Sequence, residues 1–306
     1  MKAIVYEEYG GPEVLRLKET EEPHPGPGQV RLKVVAAAVN PIDYKIRRGW
    51  MPQMGPGLPA VPGSEAAGIV DEVGEGVTDR SVGDEVLGWT DTGAYASYAL
   101  ATAVVPKPAD LDWETAAALP VATETSARVL DLLGLKEGET LLLHGAAGAV
   151  GGVGVQLAVA RGVTVIGTAS PANHDYLRSL GAIPVAYGEG LADRVRAVAP
   201  KGVDAVYDAA GQGALPVSIE LRGGTTDRIV TIADPAAADL GVTFSGGGGG
   251  RPLEDIAGYA RLAAEGRLRV PIVRSFPLAD AAEAHEQSEA GHSRGKLILR
   301  PDETPL

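Results

Sequence analysis

The alternation of hydrophobic and polar positions divides the chain into two parts. From Met1 to about Asp110, short apolar runs are broken by Gly and Pro, as in "KAIVY", "QVRLKVVAAAV" and "AAGIVDEVG". Runs of this length between turn residues predict short strands. The Pro-dense segment "MPQMGPGLPAVPG" is long enough to be a functional loop rather than a hairpin turn. We therefore expect a compact β-barrel-like domain here.

Beyond about Trp113 the pattern changes to longer alternating units. The strand-like "TLLLHG" precedes the helix-like "AVGGVGVQLAVARG", and this alternation continues as far as the strand-like "GVTFS". Such alternation predicts βαβ units and a doubly wound α/β domain with a parallel sheet. Two predicted helices and a closing strand, "GKLILR", follow it. The run Gly246–Gly250, between the strand-like "GVTFS" and the first of these helices, predicts a flexible linker or lid.

Composition narrows the possible functions. The chain has 306 residues, a formal net charge of −13 and no cysteine. The charge argues against a nucleic-acid partner, and the absence of cysteine excludes disulfides, thiolate nucleophiles and cysteine-ligated zinc. The five histidines show no i, i+4 pair, so we expect no metal. No stretch reaches the roughly 18 apolar residues of a membrane span, and no secretory pattern opens the chain, which predicts a cytoplasmic protein.

A glycine-rich segment joins a predicted strand to a predicted helix at "HGAAGAVG". Aligned with the dinucleotide fingerprint GxGxxG, it places Ala146, Gly148 and Gly151 at the three glycine positions. The middle glycine lets backbone N–H groups approach a pyrophosphate, and the helix N-terminus favours the anion. A turn that binds nothing is the alternative. We expect cofactor contacts along the whole loop, from Gly145, Ala146, Ala147, Gly148, Ala149, Val150 and Gly151.

The end of the next strand, "GTASPANH", bears on which dinucleotide binds. A carboxylate at this point would bond a ribose hydroxyl and repel a 2′-phosphate. Here Thr168 and Ser170 offer hydroxyls, and the nearest acid, Asp175, lies inside the next predicted helix. This pattern favours NADPH, with Thr168, Ser170 and His174 near the phosphate. The preference is modest because Arg178 lies two turns further along.

The whole chain resembles the medium-chain dehydrogenase/reductase superfamily, and within it the zinc-free NADPH:quinone oxidoreductase branch, which is zeta-crystallin-like. The motifs that show the resemblance are "GGPEVL", "VNPIDYKIRRG", "VPGSEAAGIVDEVGEGVTDRSVGDEV", "AALPVATETSA", "HGAAGAVG", "RSLGA" and "GHSRGKLILR". The resemblance implies a Rossmann domain, residues 121–264, inserted in a GroES-like β-barrel catalytic domain, residues 1–120 and 265–306. It also implies a homodimer through the edge strand "GVTFS".

The resemblance also suggests what the protein cannot do. Zinc relatives place a cysteine ligand where this chain has Asn40 and a histidine ligand where it has Ser64. Without that Lewis acid, alcohol oxidation by the zinc route is not available. A quinone or an α,β-unsaturated carbonyl accepts a hydride into its own conjugated system, so an NADPH-dependent reductase of such acceptors is expected. An enoyl-thioester reductase and a non-catalytic NADPH-binding sensor or interaction protein are the alternatives.

By position, the resemblance assigns further site residues. Candidates beside the nicotinamide, for catalysis, are Asn40, Asp43, Tyr44 and Lys45. Asp43 is equally explained as a helix N-cap, Asn40 as a turn residue, and Tyr44 as a pocket wall rather than a proton donor. The remaining implied cofactor contacts are Thr125, Tyr187, Ala210, Ala233 and Phe244.

Overall fold

The computed structural model describes residues 1–247, 252–291 and 293–301. It contains two compact units, Met1–Val121 with Pro252–Leu306, and Ala122–Arg251. The first boundary lies next to the predicted one, but the second differs. The helix Leu253–Ala264 belongs to the first unit because it packs against the strand Val104–Pro106, so the predicted boundary after residue 264 is corrected to the start of that helix. Residues 248–250 of the predicted glycine linker lie outside the described residues.

The first unit begins with strands and one short helix. In chain order these are β1 (Lys2–Val5), β2 (Arg16–Glu19), β3 (Val30–Val39), α1 (Pro41–Arg47), β4 (Glu65–Val73), β5 (Glu85–Trp89), β6 (Tyr98–Ala101) and β7 (Val104–Pro106).

Helix α2 (Trp113–Leu133) leads into the second unit, where strands and helices alternate. They are β8 (Thr140–His144), α3 (Ala149–Ala160), β9 (Thr164–Ala169), α4 (His174–Ser179), β10 (Ile183–Ala186), α5 (Leu191–Val198), β11 (Ala205–Asp208), α6 (Leu215–Leu221), β12 (Ile229–Thr231), α7 (Ala237–Leu240) and β13 (Thr243–Phe244). The chain then returns to the first unit with α8 (Leu253–Ala264), β14 (Ile272–Pro277), α9 (Ala281–Ala290) and β15 (Lys296–Arg300).

The main sheet of the first unit is mostly antiparallel. Its strands follow the order β14-β15-β3-β4-β5-β7, β6 also pairs with β3, and only the β14/β15 pair is parallel among the described strands. Side chains of Ile4, Val34, Tyr95, Phe276 and Leu299 fill the core beneath it. Each fully buried side chain of this kind contributes about 1.5–3 kcal/mol. This core holds the end of β3 and the start of β4 together, where candidate site residues lie.

The second unit has a parallel sheet in the order β10-β9-β8-β11-β12-β13. Renumbered within the unit, this is 3-2-1-4-5-6, the order of doubly wound dinucleotide-binding folds. The order reverses between β8 and β11, and ligands of such sheets bind at the carboxyl ends of the strands at that point. Leu142, Ile166, Val206 and Ile229 are buried in its core. The loop after β8 therefore lies at the switch point.

Candidate active site

The glycine-rich loop connects β8 to α3 as predicted. Gly148 is the N-cap of α3, and its φ of −71° is one that any residue can adopt. A Cβ on Gly148 would meet only the Gly145 carbonyl oxygen, at 3.4 Å, whereas a Cβ on Gly151 would lie 2.2 Å from that same oxygen. Gly151 therefore allows the helix to pack closely on the loop, and Gly148 leaves open space at a helix N-terminus with unpaired N–H groups. This open, donor-rich surface fits a pyrophosphate.

Ala146 stands at the first glycine position without backbone strain. Among the described non-glycine residues only Arg228 has a positive φ. The N–H of Ala146 donates to the Thr168 carbonyl at 3.2 Å, and a Cβ on Gly167 would lie 2.8 Å from the Ala146 methyl group. The bare Gly167 backbone on β9 thus makes room for the extra methyl group of Ala146.

Helix α2 contains a residue that contacts this loop, Ser126, and the predicted cofactor contact Thr125. Ser126 donates through Oγ to the Val150 carbonyl at 2.8 Å and so fixes the first turn of α3. Thr125, the predicted cofactor contact, is 9% exposed, and its hydroxyl lies 3.4 Å from the Glu124 carboxylate. Ser126 was not among the predicted site residues, because a serine inside a helix carries no sequence signal for a tertiary bond.

The predicted residues at the end of β9 differ in their surroundings: Thr168 is buried, whereas Ser170 and His174 are not. Thr168 is 2% exposed and its hydroxyl lies 3.3 Å from Nδ1 of His144, so it does not serve as a hydroxyl facing a ligand and that expectation is corrected. His144 also contacts Ser218 Oγ through Nε2, at 2.9 Å. Burial lowers the pKa of His144 to about 4. The buried, neutral imidazole therefore hydrogen-bonds the Thr168 hydroxyl, and its two contacts link β8 to β9 and to α6.

Ser170 and His174 fit the adenosine side better. Ser170 Oγ accepts a bond from Asn173 at 3.2 Å. His174 is half-buried, and its enclosed Nε2 has no hydrogen-bond partner within the described part of the chain. An enclosed ring nitrogen without a partner suits an added acceptor or donor such as a phosphate.

A cation lies at the end of β10 that sequence reasoning missed. Arg194 of α5 donates to the carbonyls of Ala186, Tyr187 and Gly188 at 3.0, 3.3 and 3.2 Å. The predicted contact Tyr187 is 53% exposed beside it. Arg178, by contrast, pairs with Asp175 on the exposed side of α4. No spacing rule links Arg194 to the strand end, because the αL turn at Gly190 brings α5 back over it.

The ends of β11 and β12 form a second group of predicted contacts. Asp208 accepts the Ala210 N–H at 3.0 Å through Oδ1 and the Thr231 hydroxyl at 2.7 Å through Oδ2. Thr231 in turn accepts the Ala233 N–H at 3.1 Å. The predicted Phe244 is 41% exposed on the edge strand β13. Ala210 and Ala233 therefore lie together at the carboxyl edge of the sheet.

In the first unit, Asn40 belongs to a buried three-residue network. Its Nδ2 donates to Glu65 Oε1 at 2.8 Å, and its Oδ1 accepts a bond from Lys296. Lys296 and Glu65 also form a salt bridge of 2.5 Å, and Glu65 Oε2 accepts the Val121 N–H at 2.7 Å. The Asn40 side chain is 3% exposed. It is more than a turn residue, since it joins the ends of β3, β4 and β15.

Asp43 is the N3 residue of helix α1 and lies inside the unit. Its Oδ2 accepts the backbone N–H of Asn40 and the Tyr95 hydroxyl, each at 2.8 Å. Burial raises the pKa of Asp43 to about 6. The N-cap reading of Asp43 is corrected, because the N-cap of α1 is Asn40. Asp43 is the N3 partner in a capping box, and both of its donors come from the protein itself.

A chain of donors points towards Asp43. Arg47, fully buried, donates to Nδ1 of His285 at 2.9 Å, and His285 Nε2 lies 3.3 Å from the Tyr95 hydroxyl that donates to Asp43. Burial lowers the pKa of His285 to about 3, so the ring is neutral. Arg47 also pairs with Glu289 of α9. Because Nδ1 of His285 accepts, its Nε2 donates to the Tyr95 hydroxyl. Each hydrogen bond in this series therefore donates in the direction of Asp43.

Tyr44 and Lys45 differ from Asn40 and Asp43 in being only half-buried. The Tyr44 ring meets the Trp50 ring edge-on with centroids 6.2 Å apart, and Trp50 is 65% exposed. Burial raises the pKa of the Tyr44 phenol, so it holds its proton at neutral pH. Tyr44 thus keeps both a partly exposed surface and its phenolic proton at neutral pH.

The two units match known families and proteins. Residues 26–109 match the alcohol dehydrogenase GroES-like domain and residues 180–299 match the zinc-binding dehydrogenase family. Rat quinone oxidoreductase is 33% identical over 97% of this chain and 96% of its own length. The chloroplastic NADPH-dependent alkenal/one oxidoreductase of Arabidopsis thaliana is 34% identical over 98% of this chain and 80% of its own length. The chain belongs to the zinc-free quinone oxidoreductase branch of the medium-chain dehydrogenase/reductase superfamily.

A solved structure supports this membership. Escherichia coli quinone oxidoreductase complexed with NADPH resembles the chain with a TM-score of 0.85 and 28% identity, covering 98% of this chain and 100% of that one. The predicted fold class, a Rossmann-like parallel sheet with a GroES-like domain, is confirmed for this member of the quinone oxidoreductase branch.

The zinc site of the dehydrogenase family does not fit the residues of this quinone oxidoreductase. Asn40, at the cysteine-ligand position, already bonds both Glu65 and the ammonium of Lys296, and a buried cation there opposes a second one. Ser64 is a poor zinc ligand. In the described ranges, which leave out His292, no group of three or more His, Asp or Glu side chains is placed to hold a metal. Nor does any helix there have the length and apolarity to span a membrane.

Proposed function

We propose that this protein is an NADPH-dependent, zinc-independent oxidoreductase that reduces quinones or other α,β-unsaturated carbonyl compounds. The observation that carries the proposal is the open N-terminus of α3 at Gly148, placed at the switch point of a 3-2-1-4-5-6 sheet. The names of the rat and Arabidopsis relatives support the two acceptor classes.

The residues that would hold the cofactor lie in the second unit. The loop Gly145–Gly151 would bind the pyrophosphate through backbone N–H groups. Ser170 and His174, with Arg194 nearby, would meet the adenosine 2′-phosphate, while Thr125, Ala210, Ala233 and Phe244 would lie towards the nicotinamide. When bound, NADPH supplies the hydride. No carboxylate of the described strand end opposes the 2′-phosphate, which supports a preference for NADPH over NADH.

The first unit would supply placement and a proton. Reduction of a conjugated carbonyl needs one proton besides the hydride. Asn40 and Asp43 are committed to bonds within the protein, so we assign them to positioning of helix α1. Tyr44 keeps its proton at neutral pH, and we assign it, together with solvent, to proton delivery. For Lys45, half-buried next to Tyr44, we propose a place in the wall of the acceptor site.

We also propose a cytoplasmic homodimer. Strand β13 ends the sheet of the second unit and exposes Thr243 and Phe244. Edge strands of this kind are commonly covered by a partner. Size-exclusion chromatography with light scattering tests the dimer, and a monomer at micromolar concentration would contradict it.

The experiment that tests the proposed function is a steady-state assay of NADPH and NADH oxidation against quinones, enones and acyl thioesters. We expect turnover with NADPH and a quinone or an enone. Turnover confined to acyl thioesters would identify an enoyl-thioester reductase. NADPH binding without turnover on any acceptor would identify a non-catalytic cofactor-binding protein.

A further inference from the structure

One enclosed oxygen at the carboxyl edge of the second unit's sheet has no donor. Asp234 follows β12 and is 4% exposed. Its Oδ1 accepts the Ala236 N–H at 2.9 Å, whereas its Oδ2 has no hydrogen-bond partner among the residues that the structure describes. A buried carboxylate oxygen without a donor is unfavourable and rare in native proteins. The partner of Oδ2 is therefore expected to arrive with a ligand.

Asp234 lies on the nicotinamide side of the switch point. The loop after β8 is placed for the pyrophosphate and the end of β9 for the adenosine ribose, so a dinucleotide that crosses the sheet extends its other half over β11 and β12. The Asp234 N–H donates to Thr231 Oγ1 at 3.0 Å, and Thr231 donates to Asp208. These bonds hold Asp234 at the carboxyl ends of those two strands.

A nicotinamide nucleoside offers two kinds of hydrogen-bond donor, the ribose hydroxyls and the carboxamide amino group. The number of free acceptor atoms on Asp234 distinguishes between them. A ribose diol presents two neighbouring hydroxyls and suits a carboxylate with both oxygens free. Asp234 has a single free oxygen, because Oδ1 already caps the Ala236 N–H. The carboxamide of nicotinamide presents an amino group that can give one N–H to one oxygen.

We propose that Asp234 Oδ2 accepts a hydrogen bond from the nicotinamide carboxamide of bound NADPH and so fixes the orientation of the ring. This assignment rests on the proposed function, since it requires NADPH in the second unit. Asp234 is a cofactor-recognition residue in this account, and its side chain distinguishes an amino group from a methyl group at the same position of the ring.

The test is a set of binding titrations with the full chain, read by cofactor fluorescence or calorimetry. Asp234→Asn keeps the shape and leaves an oxygen to cap Ala236, but it places an N–H group where Oδ2 was. We expect it to weaken NADPH binding about tenfold, as loss of a charge-assisted bond does. Asp239→Asn, on the exposed face of α7, is the matched control and should leave NADPH affinity unchanged.

Two further ligands make the result specific. The reduced acetylpyridine analogue of NADPH carries a methyl group in place of the carboxamide amino group. The wild type should bind it about tenfold more weakly than NADPH, and Asp234→Asn should bind the two alike. The fragment 2′,5′-ADP lacks nicotinamide, so Asp234→Asn should bind it as the wild type does, which also verifies that the variant folds.

The remaining outcomes overturn the proposal in distinguishable ways. Equal NADPH affinity in the wild type and Asp234→Asn would mean that the partner of Oδ2 is not the cofactor, and the proposed function would stand. Equal wild-type affinity for NADPH and its acetylpyridine analogue would remove the carboxamide as the partner, even if the variant did not fold. Failure of the wild type to bind both NADPH and 2′,5′-ADP would overturn the proposed function as well.

Discussion

Lys296 and Glu65 form a salt bridge of 2.5 Å in which the two side chains are 2% and 0% exposed. The residues are far apart in sequence, on the first positions of β15 and β4. Because both charges are removed from water, each depends on the other and on Asn40 for stabilisation. The pair thereby fixes the end of β3, from which helix α1 and the candidate residues Asp43, Tyr44 and Lys45 begin.

Breaking this pair on one side should be costly. In Lys296→Met, Glu65 retains bonds from Asn40 and Val121 but loses its counter-charge, so the free energy of unfolding should fall by about 3–5 kcal/mol. The double variant Glu65→Gln/Lys296→Met should recover a large part of that loss. Urea denaturation measures both.

The control for this prediction is an exposed ion pair. Arg267 pairs with Glu265 at 3.0 Å, with side chains 69% and 54% exposed. Arg267→Met should change the free energy of unfolding by no more than about 1 kcal/mol. An equally small change in Lys296→Met would contradict the account of a mutually dependent buried pair.

His285 should make the fold acid-sensitive. Its pKa is lowered to about 3 in the folded protein by burial and by Arg47, against about 6.5 in the unfolded chain. The unfolded chain therefore takes up the proton first, and this stability is lost as the pH falls from about 6.5 towards 3. Between pH 6.5 and 5 the loss is about 2 kcal/mol.

The variant His285→Gln isolates this contribution. It should lower the free energy of unfolding at pH 7 but flatten its decline between pH 6.5 and 5, leaving the slope that His144 produces through its own lowered pKa. Urea unfolding at a series of pH values provides both curves. Parallel curves for the wild type and His285→Gln would refute the assignment.

Asp43 should contribute to stability with a pH dependence opposite in sign to that of His285, and its pKa should depend on Tyr95. Its pKa is raised from 3.8 to about 6, so its contribution to stability is complete below about 3.8 and is lost as the pH rises through 6. Tyr95→Phe removes a donor to the ionised carboxylate and should raise the pKa of Asp43 further. A carbon-13 NMR titration of the carboxyl signal, assigned by its absence in Asp43→Asn, measures this. An unchanged or lower midpoint would show that the Tyr95 hydroxyl does not stabilise the anion.

Two alanine substitutions in the glycine loop should separate folding from binding. Gly151→Ala places a Cβ 2.2 Å from the Gly145 carbonyl oxygen, so it should reduce the free energy of unfolding by about 1–3 kcal/mol. Gly148→Ala makes only an ordinary contact with the Gly145 carbonyl oxygen, at 3.4 Å, and has an ordinary φ. It should therefore change stability less than Gly151→Ala does, while weakening NADPH binding about tenfold or more. Thermal unfolding without ligand and NADPH titration are the measurements. Unchanged affinity in Gly148→Ala would show that no pyrophosphate approaches this backbone.

The parts of the molecule that sequence analysis predicts are those with local, periodic signals. The alternation around "TLLLHG" and "VTVIGTA" predicts β8 and β9, and the spacing from Ala146 to Gly151 places the loop between β8 and α3. These features depend on neighbouring residues, which is why they can be derived from one sequence. The edge position of "GVTFS", which the family resemblance implies, agrees with β13.

The side-chain networks could not be derived in that way. Asn40, Glu65 and Lys296 meet only when β3, β4 and β15 pair, and the sequence separation of 256 residues between Asn40 and Lys296 carries no pattern. The Thr168 hydroxyl lies beside His144 because β9 pairs with β8. The position of α8 also depends on a tertiary contact with β7. Conversely, motif similarity located Asn40 and Asp43 but not the direction of their bonds.

Transfer of deuterium from C4-labelled NADPH to an enone tests the central claim most directly, because a hydride delivered to carbon does not exchange with water. The measurement is mass spectrometry of the reduced ketone after reaction with NADPH deuterated on either face of C4. The account predicts one deuterium on the β-carbon of the product from one of the two labelled cofactors. Absence of a reduced product with enones and quinones alike, or a reduced ketone without deuterium from either cofactor, would contradict it.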